Sequence, residues 1–304
     1  MPHPRPPTLL LGLMLASCAK IGPPTLHMPE PLPTATSSFQ PQATSTVPPP
    51  APSPTNTEPP PLPTYTPLPT LPPDQALARV RSFMDGSPDC RLPCWWGVTV
   101  GVTPWREAVQ SLGPIATAIE LWQTTTIDEA DGPHSISDYH VRYQVPGGPG
   151  AIAVTTRDDV VHDIVVTAES TSHQMAAHNV VATYGPPVLA LLRTYDNPTP
   201  FGFPFMLLLF YPEQGFMVFY DLEGFRSGPN VVGCPADFAP ALFIWSPHDS
   251  WAIEDIQTRV LGPDYYHPLL DISEVTTYTL DTLYSAFLQQ RAGLCIETPA
   301  TLWE

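Results

Sequence analysis

Four of the five cysteines could act as metal ligands or form disulfides. Cys90 and Cys94 form a CxxxC motif, whereas Cys234 and Cys295 are isolated and have no histidine close by in the sequence. Because a zinc site needs a second pair of ligands at metal-site spacing, this pattern does not favour zinc. Four cysteines allow three disulfide pairings, and the sequence does not choose among them. For an exported chain we favour Cys90–Cys94 as a small local loop and Cys234–Cys295 as a clamp on the carboxy-terminal half.

A second group of reactive side chains, Asp158, Asp159, His162 and Asp163, falls on a predicted hairpin. Carboxylates and an imidazole this close could hold a cation, but a solvated turn is the interpretation we favour. The sequence contains no GxSxG, HExxH, P-loop or Rossmann glycine motif. We therefore predict no metal, no cofactor and no catalytic residue, and we favour a non-enzymatic role. A hydrolase site assembled only in space remains an alternative.

The seven tryptophans suggest a third kind of site, one in which sugar rings stack on indole rings. Trp105 lies on the apolar stripe of a predicted helix and is expected in the core. The candidates for stacking on a ligand are Trp95, Trp96, Trp245 and Trp251, because an exposed indole ring offers a flat apolar surface.

The amino terminus has the features of an export signal. Arg5 precedes the apolar run Thr8–Ala16, which is too short to span a membrane but suits a signal peptide. The run ends in Leu15–Cys18, which resembles a bacterial lipobox. That resemblance implies cleavage after Ser17 and attachment of diacylglycerol to Cys18, so that two or three acyl chains would hold the chain on the cell membrane or outer membrane, outside the cytoplasm. An ordinary secretory signal with a chance cysteine is the alternative.

Composition divides the chain after the signal peptide (residues 1–17). Most of the 43 prolines precede residue 75, and residues 18–74 are rich in Pro, Thr and Ser. Such a segment cannot bury enough apolar surface to fold, and we predict a disordered, extended tether. The formal net charge of −17 excludes nucleic acid as a favoured partner, because phosphate binding needs clustered Lys and Arg.

The elements that must position these residues begin with a predicted helix over Asp74–Phe83. In the next helix Thr103 is the expected N-cap, and Trp105, Ala108, Val109 and Leu112 share one face before the Gly113-Pro114 stop. The pattern recurs with a Thr171/Gln174 capping box, the apolar positions Ala177, Val180, Val181 and Tyr184, and the Gly185-Pro186 stop. A third, weaker copy ends at Gly262-Pro263.

Alternating or apolar runs predict strands after each helix. These strands are Tyr139–Val145, Ala151–Thr156, Val160–Ala168, Phe205–Tyr211 and Phe216–Asp221. Hairpin turns are predicted at 157–159 and 212–215. The chain then has a final predicted helix, Leu280–Gln290, and a final predicted strand, Leu294–Glu297. The Phe205–Asp221 hairpin is apolar on both faces and should be central. We predict an α+β fold of tandem helix-plus-antiparallel-sheet units, 75–170 and 171–304, with one continuous domain over 75–304 as the alternative.

Two segments resemble known families. Val98–Thr103 followed by Ala108–Pro114 resembles the helix and stop of the SmpA/OmlA lipoproteins and of the β-lactamase-inhibitor-protein fold, although Gly-Pro here replaces the family's Gly-x-Pro. The resemblance implies small helices on an antiparallel sheet, and roles in protein binding and envelope assembly. Cys90–Trp96 resembles the opening of uncharacterised proline-tethered bacterial lipoproteins.

We therefore expect a membrane-anchored binding domain that recognises a protein or an envelope polysaccharide. A surface carbohydrate-binding module and a motif-free hydrolase are the alternatives.

Overall fold

The computed structural model describes residues 70–86, 90–129, 132–168, 171, 173–195, 202–235, 239–249, 251, 253, 269–290 and 293–303, all within the compact unit Pro63–Glu304. Cys18, most of the predicted tether and the Gly262-Pro263 stop lie outside these residues. Among the described residues, no helix has the length and apolar character needed to cross a membrane.

Short helices are separated by runs of consecutive strands along the described part of the chain. The helices are α1 (Pro73–Met84), α2 (Trp105–Leu112), α3 (Ala177–Tyr184), α4 (Ile272–Val275) and α5 (Leu280–Gln290). The strands are β1 (Cys94–Trp95), β2 (Val98–Thr99), β3 (Ala116–Glu129), β4 (Gly132–Val145), β5 (Gly148–Arg157), β6 (Val160–Val166), β7 (Leu189–Thr194), β8 (Phe203–Tyr211), β9 (Phe216–Ser227), β10 (Asn230–Gly233), β11 (Ala241–Trp245), β12 (Leu270–Asp271) and β13 (Ile296–Pro299).

All described strands except β1 and β2 belong to one antiparallel sheet. Its order is β12–β7–β8–β9–β11–β6–β5–β4–β3, and β10 pairs with both β9 and β13. Strands β3 to β6 form one meander and β7 to β9 another, and the two are joined where β6 pairs with β11. The predicted combination of helices with an antiparallel sheet is confirmed, and sheet predominates.

Tight turns connect the strands at two of the predicted positions. Asp158 and Asp159 have φ values of 50° and 67°, and they form the two-residue turn between β5 and β6. Positive φ at both central residues gives the chain the twist that a two-residue hairpin requires. Gly215, at φ 70°, ends the turn between β8 and β9.

The main core lies between one face of the sheet and the helices. On α2 the predicted spacing is correct, because Trp105, Ala108 and Leu112 are buried. Val180 and Val181 of α3 are buried in the same cluster. The amphipathic stripes therefore determine which side of each short helix packs on the sheet.

The predicted helix caps are wrong in detail. Helix α2 has Pro104 at its N-cap, and the Thr103 hydroxyl instead accepts a hydrogen bond from the Thr99 N–H at 2.9 Å. Helix α3 starts only at Ala177, so the proposed capping box does not form: the Thr171 hydroxyl donates to the carbonyl of Pro240 at 2.8 Å. The Thr103 hydroxyl is therefore used by the turn that precedes α2, and the Thr171 hydroxyl by Ala168 and by the distant Pro240.

The opposite face of the sheet carries a second apolar cluster over its central strands. The buried members are Leu191, Met206, Leu208, Phe210, Met217, Phe219, Phe243, Trp245 and Leu269. Strands β8 and β9 are thus buried on both faces, as the apolar hairpin predicted. Toward β5, β4 and β3 this second face changes to small and polar side chains.

Two disulfides are present, with the pairing favoured from the sequence. Cys90 is bonded to Cys94 and Cys234 is bonded to Cys295. The longer link joins the end of β10 to the start of β13, where Gly233 lies opposite Ile296.

Candidate binding site

A polar row crosses four neighbouring strands on the second face of the sheet. Gln123, Asp138, Thr155 and Asp163 are opposite one another in the pairing of β3, β4, β5 and β6. The Gln123 amide donates to Asp138 at 2.6 Å, and the Thr155 hydroxyl donates to the other oxygen of Asp138 at 2.7 Å. These bonds hold the Asp138 carboxylate in a fixed orientation.

A β-bulge in β6 brings His162 to this row. Asp163 pairs with Thr155 but Val161 pairs with Thr156, so His162 is the extra residue. A bulge re-aims a side chain that alternation would send to the other face. Nδ1 of His162 lies 3.2 Å from an oxygen of Asp163, which is only 1% exposed, and Nε2 lies 3.5 Å from Asp249.

Two tryptophans border the site. Trp122 on β3 is 68% exposed and stacks on His140 with ring centres 5.2 Å apart. On the other side, Trp251 lies 6.0 Å from His162 and meets Phe243 edge-on at 5.2 Å. A neighbouring ring already holds each indole in place, so the side chain loses little conformational entropy when a ligand covers it.

Small side chains form the floor between these borders. Ile152 and Val154 of β5 are buried in the main core, so Ala151 and Ala153 face the other side. Ala153 pairs with His140 on β4. We call this surface the open-face groove: Ala151 and Ala153 as its floor, Trp122 and His140 on one side, and His162, Asp163, Asp249 and Trp251 on the other.

Strand β3 ends the sheet order, so its outer edge has no neighbouring strand among the described residues. From Glu120 to Glu129 its side chains are exposed on both faces. Ion pairs link it inward: Arg142 lies 3.0 Å from Glu120, and Arg157 lies 2.9 Å from Glu129. The first pair joins β4 to β3 and the second reaches β3 from β5, and being partly exposed they add little to the backbone pairing of β3 with β4.

The acidic group predicted on the hairpin is divided between two places. Asp158 lies at the turn, 2.5 Å from Nδ1 of His134, and a hydrogen bond from His134, with a second from the Ser135 N–H, lowers the pKa of Asp158. His162 and Asp163 lie instead in the open-face groove. Among the described residues, no group of three or more His, Cys, Asp or Glu side chains could hold a metal ion.

Three of the four tryptophans proposed for stacking are poorly placed for it. Trp245 is fully buried in the second apolar cluster, which makes that assignment wrong. Trp96, 5% exposed, stacks with Phe83 and Trp95, and Trp95 is 8% exposed, so neither ring offers a free face. Trp251 borders the groove, whereas the exposed Trp122 was missed because its strand shows no apolar alternation.

No protein family, curated protein or solved structure matches the chain.

Proposed function

We propose that the chain is a lipid-anchored extracytoplasmic lipoprotein with a non-catalytic binding domain, and that the open-face groove holds an extended, basic segment of a partner protein. The anchor is supported by the lipobox-like sequence Leu15–Cys18. The binding role is carried by one observation: an acidic, alanine-floored groove lies on the sheet between two tryptophans.

The dimensions of the groove favour a single extended peptide. Adjacent strands are about 4.8 Å apart, so the side chains of β4 and β6 stand about 10 Å apart across the two alanines of β5. Large side chains at Ala151 and Ala153 would fill this space. A bound peptide chain could lie along it and place alternate side chains against Trp122 and Trp251.

The charge of the groove favours a basic segment. Asp249 brings a partly exposed carboxylate to it and Asp138 lies in the adjoining polar row, while the nearby Arg142 is already paired with Glu120. Lys or Arg side chains would therefore find complementary charge at short range. The net charge of −17 adds a longer-range attraction for a cationic partner.

The same geometry supports binding over hydrolysis. Both ring nitrogens of His162 are directed at carboxylates, and among the described residues neither contacts a hydroxyl or thiol. A histidine base needs a nucleophile or water within hydrogen-bond reach. Here the ring instead links Asp163 to Asp249 at the side of the groove.

Tandem units remain part of the proposal. Helix α2 precedes the meander β3–β6, and α3 precedes β7–β9, which supports duplication of one helix-plus-sheet unit over 75–170 and 171–304. In that arrangement the open-face groove belongs to the first unit.

The binding proposal can be tested with the full chain in detergent and a fluorescent (Lys-Thr)5 peptide as the probe. We expect Trp122→Ala and Asp249→Asn each to weaken binding by about threefold to tenfold, since each removes one aromatic or charged contact. Val188→Ala and Glu213→Gln are matched controls, because both residues are exposed and lie outside the groove. Equal losses in the controls, or equal binding of (Glu-Thr)5, would contradict the proposal.

The anchor needs a separate test in the cell. Cys18→Ala should abolish partitioning into the detergent phase of a Triton X-114 extract and leave the signal peptide uncleaved, whereas Ser37→Ala, in the tether, should change neither. A Cys18→Ala product of mature size that still enters the detergent phase would refute lipidation.

A further inference from the structure

The outer edge of strand β3 is regular and unpaired over its last part. The pairing of β3 with β4 shifts between Leu121 and Gln123 and then runs without interruption from Gln123 to Glu129. The side chains of this run are exposed on both faces, and among the described residues β4 is its one neighbouring strand. We call Gln123–Glu129 the open edge.

The hydrogen bonds of Ser135 show which backbone groups of the open edge point outward. Ser135 lies opposite Thr126 on β4, and its N–H donates to the Asp158 carboxylate while its C=O accepts from the Asp158 N–H, both at 2.9 Å. Asp158 lies in the turn after β5, so both backbone groups of Ser135 point away from β3. Facing residues of an antiparallel pair exchange either two hydrogen bonds or none, so Thr126 also directs its N–H and C=O away from β4. By alternation, Thr124 and Asp128 do the same.

The open edge lacks the usual features that keep edge strands apart. Edges are commonly blocked by lysine, by proline or by a bulge within the strand. No lysine, arginine or proline lies between 120 and 129, and the register shift comes before the open edge rather than within it. Its threonines and Ile127, which is 39% exposed, are residue types that fit a paired strand. The edge is therefore able to accept another strand.

The open edge is complementary to itself in the antiparallel direction. Two copies related by a two-fold axis at its midpoint have these residues opposite one another: Thr126 and Thr126, Thr125 and Ile127, Thr124 and Asp128, and Gln123 and Glu129. Each carboxylate then meets a hydroxyl or an amide that can donate to it, no like charges are opposite, and the outward backbone groups face each other. With the axis at Thr124, Glu120 would instead face Asp128. Charge therefore favours the axis at Thr126.

We propose that two copies of the chain associate through the open edge and form one antiparallel sheet that is continuous across both copies, with Thr126 of each copy opposite Thr126 of the other. The interface is isologous, since one patch pairs with itself. Backbone hydrogen bonds supply the attraction, and the formal net charge of −17 on each copy opposes it. Side chains on one face form the open-face groove, whereas backbone groups at the edge form this interface, so the two proposals can fail separately.

Disulfide cross-linking of the full chain in detergent tests the register. Thr126→Cys places the Cα atoms of the two new cysteines about 5.5 Å apart, which a disulfide can bridge, whereas Thr124→Cys leaves them about 14 Å apart. The four described cysteines are already in disulfides, and the wild-type chain is the blank. Under mild oxidation with copper phenanthroline, we expect Thr126→Cys to form a covalent dimer at least about tenfold faster than Thr124→Cys. Equal rates would overturn the proposal, and so would a monomer throughout, which is the result expected if the edge pairs with a strand of a different protein.

A proline variant tests the role of the backbone. Thr124→Pro removes an N–H that points outward, so the β3–β4 ladder keeps its hydrogen bonds while the pairing between copies is blocked. Added to Thr126→Cys, it should slow dimer formation at least about tenfold with unchanged circular dichroism. Two controls should leave the rate unchanged: Val102→Ala, at a residue 70% exposed and outside β3, and Asp249→Asn, in the open-face groove. An unchanged rate with Thr124→Pro in a folded chain would rule out pairing through the edge; if that variant loses the fold, the two cysteine variants decide the question.

Salt distinguishes this association from binding at the groove. Raising the ionic strength from about 0.01 M to about 0.1 M shortens the screening length from about 30 Å to about 10 Å. Repulsion between the two acidic copies then weakens, so Thr126→Cys should cross-link faster, whereas binding of the (Lys-Thr)5 peptide should weaken. A cross-linking rate that falls as salt is added would contradict self-pairing against a net repulsion.

Discussion

Removing the two disulfides separately should show how much of the stabilisation by each disulfide comes from restricting the unfolded chain. The sequence separations are 61 residues for Cys234–Cys295 and 4 for Cys90–Cys94. In the chain-entropy treatment the longer loop is worth about 4 kcal/mol and the shorter about 2 kcal/mol. Cys234→Ala with Cys295→Ala should therefore lower the free energy of unfolding about twice as much as Cys90→Ala with Cys94→Ala.

Contacts in the native state should change these two free energies little. Beside Cys234 and Cys295, β10 and β13 are already paired from Asn230 to Gly233, so alanine at both positions leaves the ladder in place. The cost then arises mainly because the unfolded chain is freed from a long loop.

Urea unfolding followed by far-UV circular dichroism measures both losses under oxidising conditions. The long-loop variant should also show a larger urea m-value, because its unfolded chain exposes more surface. Equal losses from the two pairs, or a larger loss from the short pair, would refute the entropic reasoning and place the cost in native contacts instead.

Three further predictions concern single side chains. Gly215→Ala should destabilise by at least about 2 kcal/mol in the same assay, because Gly215 has φ 70° and a Cβ there would lie 2.4 Å from the backbone oxygen of Trp245. Tyr220→Phe should cost about 1 kcal/mol in thermal unfolding, since the fully buried hydroxyl donates to a backbone carbonyl at 2.8 Å. The hydrogen bond from His134 lowers the pKa of Asp158, so the ionised carboxylate stabilises the fold above the ordinary pKa of 3.8, and this stabilisation is lost as the pH falls through the lowered pKa. Asp158→Asn should therefore reduce the pH dependence of the free energy of unfolding between about pH 4 and pH 2. Asparagine is chosen because it tolerates the positive φ of this position.

Periodic apolar positions predicted the short helices and the central strands because those elements are held by burial. Trp105, Ala108 and Leu112 are buried together on α2, and the β8–β9 hairpin is buried on both faces. The sequence did not reveal β3, whose outer ten residues are exposed on both faces. Such a strand is defined by pairing with β4, and pairing leaves no periodic signal in one sequence.

The open-face groove could not be predicted for the same reason. Gln123, Asp138, Thr155 and Asp163 are separated by up to 40 positions, and only the register of four strands brings them into one row. The bulge that turns His162 toward Asp163 depends on one unpaired residue in that register. Asp158 and His162 are close in the sequence, but they lie in different parts of the surface because one is in the turn and the other is at the bulge.

The proposed partner at the groove can be weighed against the composition of the second face of the sheet. Over β8, β9 and β11 this face carries large apolar side chains such as Leu208, Met217 and Phe243, and they are buried. Toward β4 it carries alanines and hydrogen-bonded carboxylates, which can stay in water without an apolar patch. Trp122 departs from that pattern, because its indole is 68% exposed although it stacks on His140. Covering that ring would contribute roughly 3 kcal/mol by its apolar area, a gain open only to a complex in which a partner lies across the groove.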